Sequence, residues 1–139
     1  MPRTGKRAAL LLVVLTVAAC GGASSNSQTG SGQDEDAAVR AVIANLQQAA
    51  RQGDGNRICT EIFTAKLADS VTASSKGGSC AKEVKSKLFS PKTTLTVETV
   101  DVTGPTDAKA TVKENTGKTS NIFLVKQGGE WRVRSVLPA

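Results

Sequence analysis

Apolar residues recur along this chain with three different periods. The first is a solid run, Ala8 to Ala19, broken only by Thr16. The second, from Val39 to Leu88, returns every three or four residues, the repeat of helices that bury one face. The third, after Pro91, alternates, the repeat of strands that bury one side of a sheet. In the helical region the spacing predicts a first helix opening on Asp34-Glu35-Asp36, where acidic side chains suit the helix dipole. Val39, Val42, Ile43, Leu46, Ala49 and Ala50 form its apolar face, and Gly53 is a natural stop. A second helix is expected from an Asp54 cap to about Ala68, with Ile58, Ile62 and Ala65 on one face and Cys59, Phe63 and Leu67 beside it. A third, Cys80 to Leu88, is capped by Ser79, halted by Pro91, and repeats Cys80, Val84 and Leu88 at intervals of four.

The alternating region divides into four strands. In "TTLTVETVDVT", Leu95 and Val97 share one parity and Val100 and Val102 the other, which predicts a bulge near Glu98-Thr99. Gly104-Pro105-Thr106-Asp107 makes a turn, and Ala108, Ala110 and Val112 then alternate with Lys109, Thr111 and Lys113. After "NTGK", Ile122 to Val125 reads as a strand buried on both faces or central in the sheet. Gln127-Gly128-Gly129-Glu130 makes a hairpin into the last strand, with Trp131, Val133, Ser135 and Leu137 on one face and Arg132, Arg134 and Val136 on the other. Three N-terminal helices followed by four antiparallel strands make an α+β domain.

The first apolar run has a different purpose. Twelve residues fall well short of the roughly 20 needed to span a membrane. Arg3, Lys6 and Arg7 precede the run and small residues end it, the layout of an export signal. Val17-Ala18-Ala19-Cys20 resembles the lipobox of bacterial lipoproteins, and Gly21-Gly22 fits the same pattern. The resemblance implies a diacylglyceryl group on the Cys20 thiol, cleavage before Cys20, and acylation, such as palmitate, on the new amine. One acyl chain binds a membrane only marginally, so two or three give the stable anchor. An ordinary secretory signal with a chance cysteine is the plainer alternative. Residues 1–19 are thus expected as a signal peptide, 20–33 as a Ser/Gly-rich flexible tether, and 34–139 as the folded domain. The protein is placed at the cell membrane, lipid-anchored, facing the extracytoplasmic side.

Charge changes little once the signal is set aside. The chain carries 18 Lys+Arg against 12 Asp+Glu, a formal +6. Arg3, Lys6 and Arg7 supply three of those charges, so the mature chain is near neutrality at +3. With four aromatic residues and an exported address, nucleic acid is not an expected partner. The absence of histidine and tyrosine excludes Ser-His-Asp and Cys-His nucleophile systems and His-based zinc or haem sites. No cofactor, metal site or catalytic residue is expected. With Cys20 assigned to lipid, Cys59 and Cys80 are expected to form one structural disulfide; a reactive thiol or a metal pair are the alternatives.

The helix-turn-helix stretch "AVRAVIANLQQAARQGDGNRICTEIF" and the terminal hairpin "FLVKQGGEWRVRSV" resemble the NTF2-like superfamily, a cone in which a bent sheet wraps around helices. Small exported lipoproteins of high-GC bacteria often carry such domains, with a cysteine pair placed like Cys59 and Cys80. Another helix-plus-sheet fold, of the cystatin type, is the alternative. The resemblance implies a space between helices and sheet that can be an enzyme pocket, a ligand pocket or core.

Three functions follow from that space and from the surface. An envelope protein partner, met by a basic stripe of Lys109, Lys113, Arg132 and Arg134, is the first expectation. A lysine-bearing face that merely discourages sheet pairing is its bland counterpart, and "KEVKSK" at 82–87 likewise reads as a solvated helix face. The second is a small apolar ligand or lipid in a pocket lined by helix-one aliphatics, Phe63, Phe123 and Trp131, against the simpler reading that these fill the core. The third is a carboxylate-dependent enzyme like the ketosteroid isomerases and SnoaL-like cyclases, for which Asp69, Glu98 and Asp101 are the candidates. The first is preferred narrowly over the second, and both over the third.

Overall fold

The computed structural model describes residues 30–88 and 90–139. The signal segment, Cys20 and the tether up to residue 29 lie outside the described residues. Helix α1 spans Gly30–Gln52. It begins four residues before the acidic triplet, so Asp34, Glu35 and Asp36 lie beyond its first turn instead of opening it. Asp36 pairs with Arg40 one turn on, at 2.6 Å. Val39, Ile43, Leu46 and Ala49 are fully buried, the face the spacing predicts.

The expected second helix is two. A short α-helical turn, Gly55–Arg57, runs into a π-helical turn, Ile58–Ile62 (together α2), and α3 then spans Ala65–Ser74. Phe63 and Thr64 between them are extended, and Thr64 N donates to Val133 O at 2.9 Å, so the break is a contact with the last strand. The Thr64 hydroxyl caps α3 by accepting from Leu67 N at 3.2 Å. Helix α3 also continues past Ala68 into the polar run. There the hydroxyls of Ser70 and Thr72 donate to carbonyls one turn back, satisfying themselves without leaving the helix. Helix α4 joins Cys80–Glu83 to a π-helical turn, Val84–Leu88. Among the described residues the architecture thus has four helices where three were expected.

Cys59 and Cys80 are disulfide-bonded, with Cα atoms 6.2 Å apart, tying the π-turn of α2 to the first residue of α4. The two elements touch closely nearby. A Cβ on buried Gly55 would lie 2.3 Å from the backbone oxygen of Ala81, so only glycine allows this approach.

The strands β1 (Leu95–Val102), β2 (Asp107–Glu114), β3 (Thr119–Gln127) and β4 (Glu130–Pro138) form an antiparallel meander in the order β1-β2-β3-β4. The register of β1 against β2 shifts between Val97 and Thr99, the bulge that the parity change predicts. It returns Val100 and Val102 to the face that carries Leu95 and Val97, opposite Ala110 and Ala108. A second bulge was not legible. The β3–β4 register shifts where Phe123 pairs with Ser135 and Leu124 with Val133, leaving Arg134 as the extra residue. Past it, Val136, opposite Ile122, joins the inner face, and Ser135 and Leu137 do not continue the Trp131–Val133 side. Both bulges bend the sheet around the helices. The β3–β4 hairpin closes on Gly128 and Gly129, both at positive φ as a two-residue turn requires.

The core lies between α1 and the inner sheet face. Ala108 and Ala110 let the helix layer approach β2, and Ile122, Leu124 and Val133 complete the layer. Strand β3 is buried on one face only, since Phe123 and Val125 remain half-buried.

Candidate functional site

The three aromatic residues proposed as one pocket are separated. Phe63, 1% exposed, is held under β4 by the Thr64–Val133 hydrogen bond and forms part of an inner cleft. Phe123 points to the opposite side of the sheet, where it lines a shallow dish with Asp101, Asp107, Lys109 and Arg134. Trp131 lines neither. Its indole N–H donates to Glu35 Oε2 at 2.6 Å, Lys126 Nζ donates to the other carboxylate oxygen, and the ammonium stands 5.7 Å from the ring centroid. The Lys126 hydrogen bond, then that of Trp131, holds the Glu35 carboxyl below the usual glutamate range, outweighing the opposing effect of desolvation. Trp131 therefore latches α1 to the β3–β4 hairpin.

The inner cleft, open to solvent on one side, has a volume of about 240 Å³. Leu67 and Val71 come from α3, one turn apart on the same face, and Leu95 and Val136 from the two outer strands. Phe63, Val112 and Ile122 are each about 1% exposed and form its deepest lining. No residue of α1 lines it; the helix-one aliphatics are core. The polar members are Lys87 at the end of α4, Glu114 and Lys118 flanking the β2–β3 turn, and Ser120. The Lys87 ammonium lies 2.6 Å from Glu83, and Glu114 accepts from the Thr116 hydroxyl at 3.0 Å.

The enzyme candidates stand elsewhere. Asp69 is exposed on α3, Glu98 is exposed at the bulge, and Asp101 pairs with Lys109 at 3.1 Å on the outer dish. Glu114 is the carboxylate that lines the cleft, and the sequence pointed to it only as the residue before a turn. Among the described residues, no group of three or more potential metal-ligating side chains comes together.

The basic stripe is also dissolved into local pairs. Lys109 meets Asp101, and Arg134 meets Asp107 at 3.0 Å. Arg132 turns to the helices, donating to Thr60 O at 2.9 Å and thereby giving a partner to a carbonyl within the π-turn. Lys113 alone of the four makes no ion pair among the described residues.

No family model and no curated protein matches the sequence. A solved structure does match the fold, the crystal structure of an NTF2-like protein of unknown function from Shewanella baltica. The similarity covers 81% of this chain and 100% of that one, with a TM-score of 0.50 and 19% identity. The four-stranded meander wrapped on helices is thus an NTF2-like fold, as the two quoted stretches implied.

Proposed function

We propose that this chain is a lipid-anchored extracytoplasmic domain, without catalytic machinery, that binds a small apolar molecule in the cleft between α3 and the sheet. The observation that carries the reading is the cleft itself, about 240 Å³ walled largely by aliphatic and aromatic side chains. Protein interiors otherwise pack nearly as densely as organic crystals, and voids beyond a water molecule are few. The cleft's mostly apolar lining, with a few polar groups at one side, has the make-up of a ligand pocket. Its size, below the roughly 300 Å³ at which drug-sized pockets begin, fits a small ligand. The anchoring part of the reading rests on the signal-like run and Cys20. The partner reading, first in the sequence, has less support because three of its four cationic residues are engaged within the chain. With no histidine or tyrosine, and with Glu114 at the cleft margin, the site suits binding better than proton transfer.

The test is native mass spectrometry of the protein extracted gently from its own membrane, before and after denaturation, beside a Val136→Phe variant that fills the cleft. The expected result is an adduct, separate from covalent lipid, that leaves on denaturation and is missing from the variant. A bare acylated chain in the wild type would refute ligand binding and return attention to the outer sheet face.

A further inference from the structure

Resting on that reading of the cleft, we infer that its ligand is an aliphatic carboxylate, the tail in the apolar interior and the head between Ser120 and Lys118. The tail follows from size and lining. A water molecule's share of liquid volume is about 30 Å³, and a methylene group is of similar size, so 240 Å³ accommodates roughly eight carbons. Phe63, Val112 and Ile122 offer such a chain no polar contact.

The head follows from two groups. Ser120 is 6% exposed as a residue and lines the cleft, and its hydroxyl makes no hydrogen bond to another side chain or backbone group among the described residues. No buried side-chain polar atom among the described residues lacks a partner, so this hydroxyl opens onto the cleft, where a ligand acceptor takes the place of water. Lys118 lines the same cleft two residues toward the β2–β3 turn, about 7 Å along the strand direction, within reach of a lysine side chain. It makes no ion pair among the described residues, whereas Lys87 is paired with Glu83. A carboxylate accepts from the Ser120 hydroxyl with one oxygen and from the Lys118 ammonium with the other. Glu114 is the opposing charge at this margin, partly occupied by Thr116. The head is thus favoured by one unpaired cation and disfavoured by one glutamate, which makes the sign of each substitution specific.

The experiment compares octanoate, octanol and octyltrimethylammonium, which share a tail and differ in head charge. Binding is followed by calorimetry and by amide shifts along β3, using the full chain in phosphatidylcholine discs with empty discs as reference. Octanoate is expected to bind about tenfold more tightly than octanol, the scale of one charge-assisted hydrogen bond, and the cation most weakly. Lys118→Gln brings octanoate toward octanol with little effect on octanol, Ser120→Ala weakens both because either head accepts from the hydroxyl, and Glu114→Gln tightens octanoate. Equal binding of octanoate and octanol, or equal losses of both in Lys118→Gln, overturns the carboxylate assignment while the cleft reading survives. Failure of all three probes to shift β3 overturns the cleft reading itself.

Discussion

Replacing Cys59 and Cys80 together by alanine removes the covalent link between the π-turn of α2 and the start of α4. The bond joins residues 21 apart in sequence. In the chain-entropy treatment, closing a loop of about 22 residues stabilises by roughly 3.4 kcal/mol, through restriction of the unfolded chain. Against a typical domain stability of about 5–15 kcal/mol this is a large fraction. A folded unit of roughly 110 residues loses about 4 °C of melting temperature per kcal/mol, so the double variant should melt about 14 °C lower. Thermal unfolding followed by circular dichroism measures this, with reduced wild type as a second route to the same state. The single variants should each lose nearly as much as the double, because either one breaks the bond, whereas two independent packing losses would add. The urea m-value should rise in the variants, since an uncrosslinked unfolded chain exposes more surface. A loss under about 4 °C, or additive single losses, would refute the assignment of this stability to loop closure.

The other predictions concern separate parts of the molecule. Gly55→Ala drives a methyl group into the Ala81 backbone and should cost about 1–3 kcal/mol, read from a urea midpoint; an unchanged midpoint would contradict the close packing of α2 on α4. Glu35→Gln weakens the latch to Lys126 and Trp131. The folded-state pKa of Glu35 is depressed, so its stabilisation is fully present above the ordinary glutamate value of about 4.3 and is lost as pH falls through the depressed value. The stability gap between wild type and Glu35→Gln should therefore be largest near neutrality and close in acid; a gap that widens in acid would reverse the sign. Cys20→Ala should leave the mature chain without acyl mass and release it from the membrane fraction, and retention of that mass would sink the anchor.

Much of the architecture was legible because burial enforces a period. The buried row of α1 and the alternation of β2 follow directly from the sequence, and the β1 bulge shows because Leu95–Val97 and Val100–Val102 are all apolar. The second bulge left no such mark. Arg134 and Ser135 are both polar, and with Val136 and Leu137 adjacent, either parity offers an apolar residue, so the sequence cannot say which turns inward. The break at Phe63-Thr64 was hidden for a related reason: Phe63 continues an apolar helical spacing, although what it satisfies is a contact with Val133, far along the chain. Thr64 three residues before Leu67 was the available sign, since threonine is a favoured cap and an indifferent helix interior residue.

The cleft was less legible than the fold because periodicity marks a residue as turned inward without saying what it meets there. Val112 and Ile122 carry the same signal as Ile43 or Leu46, yet the first pair borders open space and the second fills the layer under α1. What separates them is a gap between α3 and the sheet, set by where the chain breaks at Phe63-Thr64 and how the β4 bulge returns Val136 inward. Both determinants are long-range contacts. The polar groups of the cleft do carry a local mark: Ser120 is a polar residue on the inward parity of β3, two places before Ile122 and two after Lys118. A hydroxyl at an inward position is an exception to the pattern that builds the core, and here it faces a cleft of about 240 Å³. The exception to the apolar period, more than the period itself, points to the chemistry.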